Sequence, residues 1–124
     1  MTATKLPVPI LIFDEDRLFR EAVRNFLLTA GCAPVDVART APEALANLNR
    51  CTYLYVFIGM SGYLFQRGRQ LALQARQLQP GAHVFPLIDA RDQPLIHDDA
   101  FEYIIKESVF STMLELLGET GGKT

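Results

Sequence analysis

The sequence predicts an α/β domain: a doubly wound, five-stranded parallel sheet with strand order 2-1-3-4-5, in which the helix between strands 4 and 5 is shortened or absent. Three observations carry this. Short apolar runs rich in branched residues alternate with stretches whose apolar residues recur at helical spacing, which implies parallel strands joined by crossover helices. Right-handed crossovers then wind helices onto both faces of one sheet. A chain of 124 residues, 49% of them hydrophobic, is also the right size for one core without disulfides or metals. The expected domain spans residues 7–117, followed by a flexible tail or linker over 118–124.

The elements follow in order. Pro7–Phe13, "PVPILIF", is a continuous apolar run suited to a strand buried on both faces. In "DRLFREAVRNFLLTAG", Leu18, Phe19, Ala22, Val23, Phe26 and Leu27 fall on one helical stripe, and Gly31 stops it. "APVDVART" is a short strand with alternation at Val35 and Val37. Thr40 and Glu43 have capping-box spacing at the head of the second helix, with Pro42 in its first turn. Thr52–Ile58 reads as strand 3. A Gly-bearing loop leads to a third helix over Leu64–Gln79, with Leu71, Leu73, Ala75 and Leu78 on its buried side and Pro80-Gly81 as its stop. "HVFPLI" is strand 4, with Pro86 awkward in a central position. "DARDQPLIHDDA" leaves little room for a long helix. "FEYIIK" is strand 5, and "SVFSTMLELLG" a last helix with Ser108 as its cap.

Composition excludes several function classes. Formal net charge is −2, which argues against a nucleic-acid footprint over the whole surface. Charge is nevertheless segregated. Residues 44–88 carry Arg50, Arg67, Arg69 and Arg76 and no acid, whereas the segment from Asp89 onward is acidic, which suggests complementary surfaces for self-association or a partner. Cys32 and Cys51 follow no metal or CxxC spacing and suit a reducing compartment. No apolar run approaches a membrane span, and no signal-peptide pattern opens the chain, so the expected location is the cytoplasm. The tail "GETGGKT" is one residue short of a P-loop and follows a helix where a P-loop needs a strand. No Gly-rich phosphate loop follows strand 1.

Chemistry concentrates at the carboxyl ends of the strands. Asp14, Glu15 and Asp16 end strand 1, a hard-oxygen cluster that suits Mg²⁺ unless Asp16 simply caps the helix. Lys106 ends strand 5 and can reach the same pocket. These residues resemble a response-regulator receiver domain of the CheY-like family, which has the flavodoxin-like strand order. "ILIFDEDRLFREAV" matches the family's opening, with Asp14 and Glu15 at its Mg²⁺-binding acidic pair. "YIIK" matches the fifth-strand motif, with Lys106 at its lysine and Tyr103 at its switch aromatic.

The resemblance breaks at "YLYVFIGMSG". The position of the family's phosphoacceptor Asp falls on Ile58 or Gly59, and no Asp or Glu occurs anywhere in 44–88 to rescue it. Neither residue offers a nucleophilic oxygen. Ile88 or Asp89 stands where the family has a Ser or Thr, and Glu107 where it has Pro. The expectation is therefore a pseudo-receiver without phosphotransfer, not an enzyme, with no required cofactor and at most a vestigial Mg²⁺ site at Asp14 and Glu15. Lys106 is expected to pair permanently with Asp89 or Asp14. The implied role is a phosphorylation-independent module that self-associates, as a homodimer, or docks an output domain or partner protein within a bacterial signalling or transcription regulator. It is expected to contact neither nucleic acid nor membrane. Phe101, Tyr103, Phe110 and Met113 are candidate interface residues, and the first helix a second candidate face. The alternatives are a receiver phosphorylated at Asp14 or Asp89, and a small α/β domain binding a divalent metal or small ligand through its acidic cluster.

Overall fold

The computed structural model describes residues 7–60, 65–97 and 99–120. In chain order the elements are β1 (Ile10–Phe13), α1 (Arg17–Thr29), β2 (Val35–Ala38), α2 (Ala41–Arg50), β3 (Tyr55–Met60), α3 (Phe65–Leu78), β4 (His83–Ile88), a 3-10 helix (Ala90–Leu95), β5 (Ile104–Ile105), a 3-10 turn (Lys106–Ser108) and α4 (Val109–Thr120). All pairings are parallel, and the strand order is β2-β1-β3-β4-β5. This is the expected topology, and among the described residues only the 3-10 helix joins β4 to β5.

The sheet is buried on both faces because its strands are apolar at successive positions. Leu11, Phe13, Val56, Ile58, Met60, Val84 and Ile88 pack with Ala44 and Leu48 of α2 and with Leu71, Ala72 and Ala75 of α3. Ile10, Ile12, Tyr55, Phe57, Phe85 and Leu87 pack with Val23 and Leu27 of α1 and with Val109 and Met113 of α4. The period-2 alternation of strand side chains thus sorts the core into two layers. Pro86 is compatible with β4 for a local reason. His83 N–H donates to Leu54 O on the β3 side, so by alternation position 86 faces β5, where pairing begins only at Leu87 with Ile104.

Caps agree with the sequence in two places. Asp16 accepts from Leu18 N and Phe19 N at the head of α1. Thr40 accepts from Glu43 N, while Glu43 reaches back to Arg39 N at 2.8 Å instead of closing the box on the cap itself. The backbone and side-chain hydrogen bonds from Arg39 hold the Glu43 carboxyl below its ordinary range. Gly31, at φ 96°, ends α1 in the left-handed region, and its N–H and that of Cys32 return to Leu28 O and Leu27 O.

Several boundaries and faces differ from expectation. Strand 3 starts at Tyr55 and runs on to Met60, because the Tyr53 N–H leaves the ladder for Gln79 Oε1. Ser108 does not cap α4; its hydroxyl donates back to Ile105 O. Leu18 and Ala22, expected on the apolar stripe of α1, are exposed, Leu18 at 79%, because the helix turns Arg20, Val23 and Leu27 to the sheet instead. Leu78 is exposed, and α3 instead buries Phe65, Gly68 and Ala72 beside the expected Leu71 and Ala75. Helix α4 continues to Thr120, past the boundary expected at Gly118. The expected loop over 61–64, the first six residues and the tail over 121–124 lie outside the described residues.

Candidate functional site at the strand tips

Asp14 is the first residue beyond β1, and the sheet carries it inward: it is only 4% exposed. Each of its groups is engaged. Oδ2 lies 2.8 Å from Lys106 Nζ. Oδ1 accepts from Asp16 N at 2.8 Å. Its carbonyl accepts from Arg20 Nη1 at 2.8 Å. Lys106 follows β5 directly, and its ammonium also lies 4.8 Å from the Phe19 ring centroid. A buried carboxylate therefore sits opposite a nearly buried ammonium, the arrangement in which removing either partner is costly.

Strand register decides between the two candidate positions on β3. Phe13 is level with Ile58, so Asp14 falls level with Gly59. Ile58 points into the layer under α2 and α3 with Leu11, Val56 and Met60. Gly59 faces the side of Asp14. A Cβ placed on it would lie 1.9 Å from Asp14 Oδ2 and 2.5 Å from Asp14 Cγ. The carboxylate of Asp14 thus occupies the space into which any side chain at position 59 would project.

The other expected residues are only partly gathered here. Glu15 and Asp16 are exposed and line, with Asp14, Gly59 and Arg67, a cleft of about 430 Å³ between the tips of β1 and β3 and the helices α2 and α3. Asp89 does not take Lys106; it lies 3.9 Å from Arg91, across a second hollow that Lys106, Asp16 and Glu107 also line. Tyr103 is half-buried and stands edge-on to Phe101 at 6.2 Å. Phe101 and Met113, expected at an interface, are in the core at 6% and 0% exposure because each packs under a helix layer. Phe110 is 41% exposed. Sequence reasoning missed two contributors. Arg20 fixes the Asp14 carbonyl; its spacing to Val23 and Leu27 was the available signal. Glu107 accepts from Ala90 N at 3.0 Å and ties the 3-10 helix to β5.

Mg²⁺ at this donor set would compete with contacts that Asp14 and Asp16 already make, while Glu15 is exposed in the cleft. Asp14 is held by a lysine and a backbone N–H, and Asp16 is turned into its helix cap. Among the described residues no three His, Cys, Asp or Glu side chains group closely enough to hold a metal. Nor is any described helix long and apolar enough to cross a membrane.

No protein-family model matches the sequence, and no curated protein does so. Solved structures do. A CheY-like receiver domain from Methylobacillus flagellatus superposes with a TM-score of 0.76 at 16% identity, over 92% of this chain and 98% of that one. The chain has the receiver fold. A CheY-like receiver domain protein from Methanospirillum hungatei gives a TM-score of 0.72 at 20% identity, over 96% of this chain and 100% of that one. The response regulator TrrA from Thermotoga maritima, in complex with Mg²⁺–BeF, gives 0.73 at 21% identity, over 90% of this chain and 97% of that one.

Proposed function

We propose that this receiver fold works as a phosphorylation-independent signalling module, acting through protein contacts as the regulatory part of a bacterial signal-transduction or transcription regulator. One observation carries the reading. The place where an acceptor side chain on β3 would project is filled by the Asp14 carboxylate, and Lys106 is committed to that carboxylate. A phosphoryl group would need an oxygen nucleophile at position 59 and a cation to hold the charge it brings. Gly59 supplies no nucleophile. The pair built from Asp14 and Lys106 holds the tip in one arrangement, where a switch needs two. Ile88, fully buried and apolar, adds no hydroxyl at the tip of β4. Mg²⁺ has no role in this reading, and the partner is an output domain, another protein or a second copy.

The test is incubation with acetyl phosphate and Mg²⁺ followed by intact mass measurement. The reading expects the mass to remain that of the unmodified chain. A phosphoryl adduct that disappears in Asp14→Asn or Asp89→Asn would replace it with the reading of a receiver phosphorylated at an unusual carboxylate.

A further inference from the structure

We propose that the cleft beside the strand tips binds a free amino acid through its ammonium and carboxylate groups. This rests on the reading of the tips as closed to a phosphoryl group, and it gives the module an input in place of that group. The cleft, about 430 Å³, lies within the ~300–1,000 Å³ of small-molecule sites. Its two sides carry opposite charge. On the β1 side stand Glu15 and Asp16. On the α3 side stands Arg67, and Gln70 and Gln74 follow it at steps of three and four, which sets all three on one side of the helix. Buried Phe13 and Leu71 line the cleft between them. The polar groups are not engaged within the chain. Glu15, Arg67, Gln70 and Gln74 make no ion pair or side-chain hydrogen bond with any described residue. Asp16 commits only Oδ1 to the cap of α1.

The two signs of charge select the ligand. A metal ion would set a second cation opposite Arg67. A phosphorylated ligand would bring its negative charges against Glu15 and Asp16, with one guanidinium on the cleft to hold them. An amino acid carries one charge of each sign on one small body. Its carboxylate suits the guanidinium of Arg67, which can donate two parallel N–H bonds, and the Gln70 and Gln74 amides are further donors. Its ammonium has three N–H donors for the Glu15 carboxylate and Asp16 Oδ2. An uncharged side chain rests against Phe13 and Leu71, where a charged one would be desolvated without a partner. Lys106 takes no part, since its ammonium is already paired with Asp14.

Amide shifts of the isotope-labelled chain, titrated with each free proteinogenic amino acid in turn and with no Mg²⁺ present, test this. At least one amino acid with an uncharged side chain is expected to give saturable shifts at Glu15, Gly59 and Gln70. Its N-acetyl derivative and its amide, each lacking one of the two charges, are expected to bind at least ~tenfold more weakly. Glu15→Gln and Arg67→Gln are each expected to weaken the free amino acid by a similar factor. Both positions are exposed, and circular dichroism confirms that each variant is folded. If no amino acid gives a saturable shift at these amides, the proposal is overturned. The same follows if the N-acetyl derivative binds like the free amino acid, or if either variant binds like the parent. The acetyl phosphate experiment is independent: a phosphoryl adduct would remove the functional reading, while the titration would still show whether the cleft takes an amino acid.

Discussion

The half of the sheet built on β2, β1 and β3 and the half built on β4 and β5 are stabilised differently. In the first half β1 pairs four residues with each neighbour, and its crossovers are full helices with their own caps and apolar faces. In the second, β5 pairs only two residues with β4, and the connection is a 3-10 helix. That segment lacks a helical stripe of its own and is tied down from outside. Arg76 of α3 donates to Ala100 O at 2.6 Å and lies 3.9 Å from the Phe101 ring centroid, and Glu107 holds Ala90 N. The strand-tip site belongs to the first half and takes its cation from the second. The contact of Lys106 with Asp14 is therefore both the local charge balance and a closure between the halves.

Breaking that closure has the largest expected effect. Lys106→Met leaves a buried carboxylate without its counter-charge and is expected to lower stability by about 3–5 kcal/mol in chemical denaturation. Asp14→Asn combined with Lys106→Met is expected to lose less than Lys106→Met alone, because no charge is then stranded. Equal losses would mean that the pair is not what holds the tip. Gly59→Ala is next, at about 1–3 kcal/mol. The added methyl displaces the Asp14 carboxylate from Lys106, whereas at an ordinary site the same change stabilises by roughly 0.4–1 kcal/mol. A gain in stability would show open space beside Asp14. Arg76→Ala is the smallest, at about 1 kcal/mol or less, since the guanidinium is exposed. In the same variant, amide exchange is expected to accelerate around Phe101 while β1 and β3 keep their protection. Acceleration spread evenly over the sheet would mean that the two halves are one cooperative unit.

The topology was legible because each strand and helix of the first half announces itself locally: "ILIF" as a doubly buried run, Thr40 and Glu43 as a helix start, Gly31 as a stop. The three acids Asp14, Glu15 and Asp16 and the lysine Lys106 were legible as residue types at strand ends. What the sequence left open were matters of register and of side-chain reach. A one-residue slip exchanges the two faces of a strand, so Ile58 and Gly59 could be separated only by the pairing of Phe13 with Ile58. Asp14 and Asp89 were equal candidates for Lys106 until the sheet placed one of them at 2.8 Å. Strand 3 was read too early because Tyr53 and Leu54 are as apolar as a strand. Gln79, 9% exposed, instead takes the Tyr53 N–H and donates to Leu48 O and Cys51 O across more than twenty-five residues of sequence. Tyr53 itself donates to Asp36 Oδ2 at 2.6 Å, and burial followed by that bond pushes its phenol pKa upward.

In the proposed function the Asp14 carboxylate and Lys106 already fill the place that a phosphoryl group would take, and so close the strand tips to it. The most direct measurement is a nuclear magnetic resonance titration of the isotope-labelled chain with Mg²⁺ and beryllofluoride, following the amides of Asp14, Gly59 and Lys106. No saturable shift is expected at any of the three; saturable shifts at these amides would show that the tips are open to a phosphoryl group.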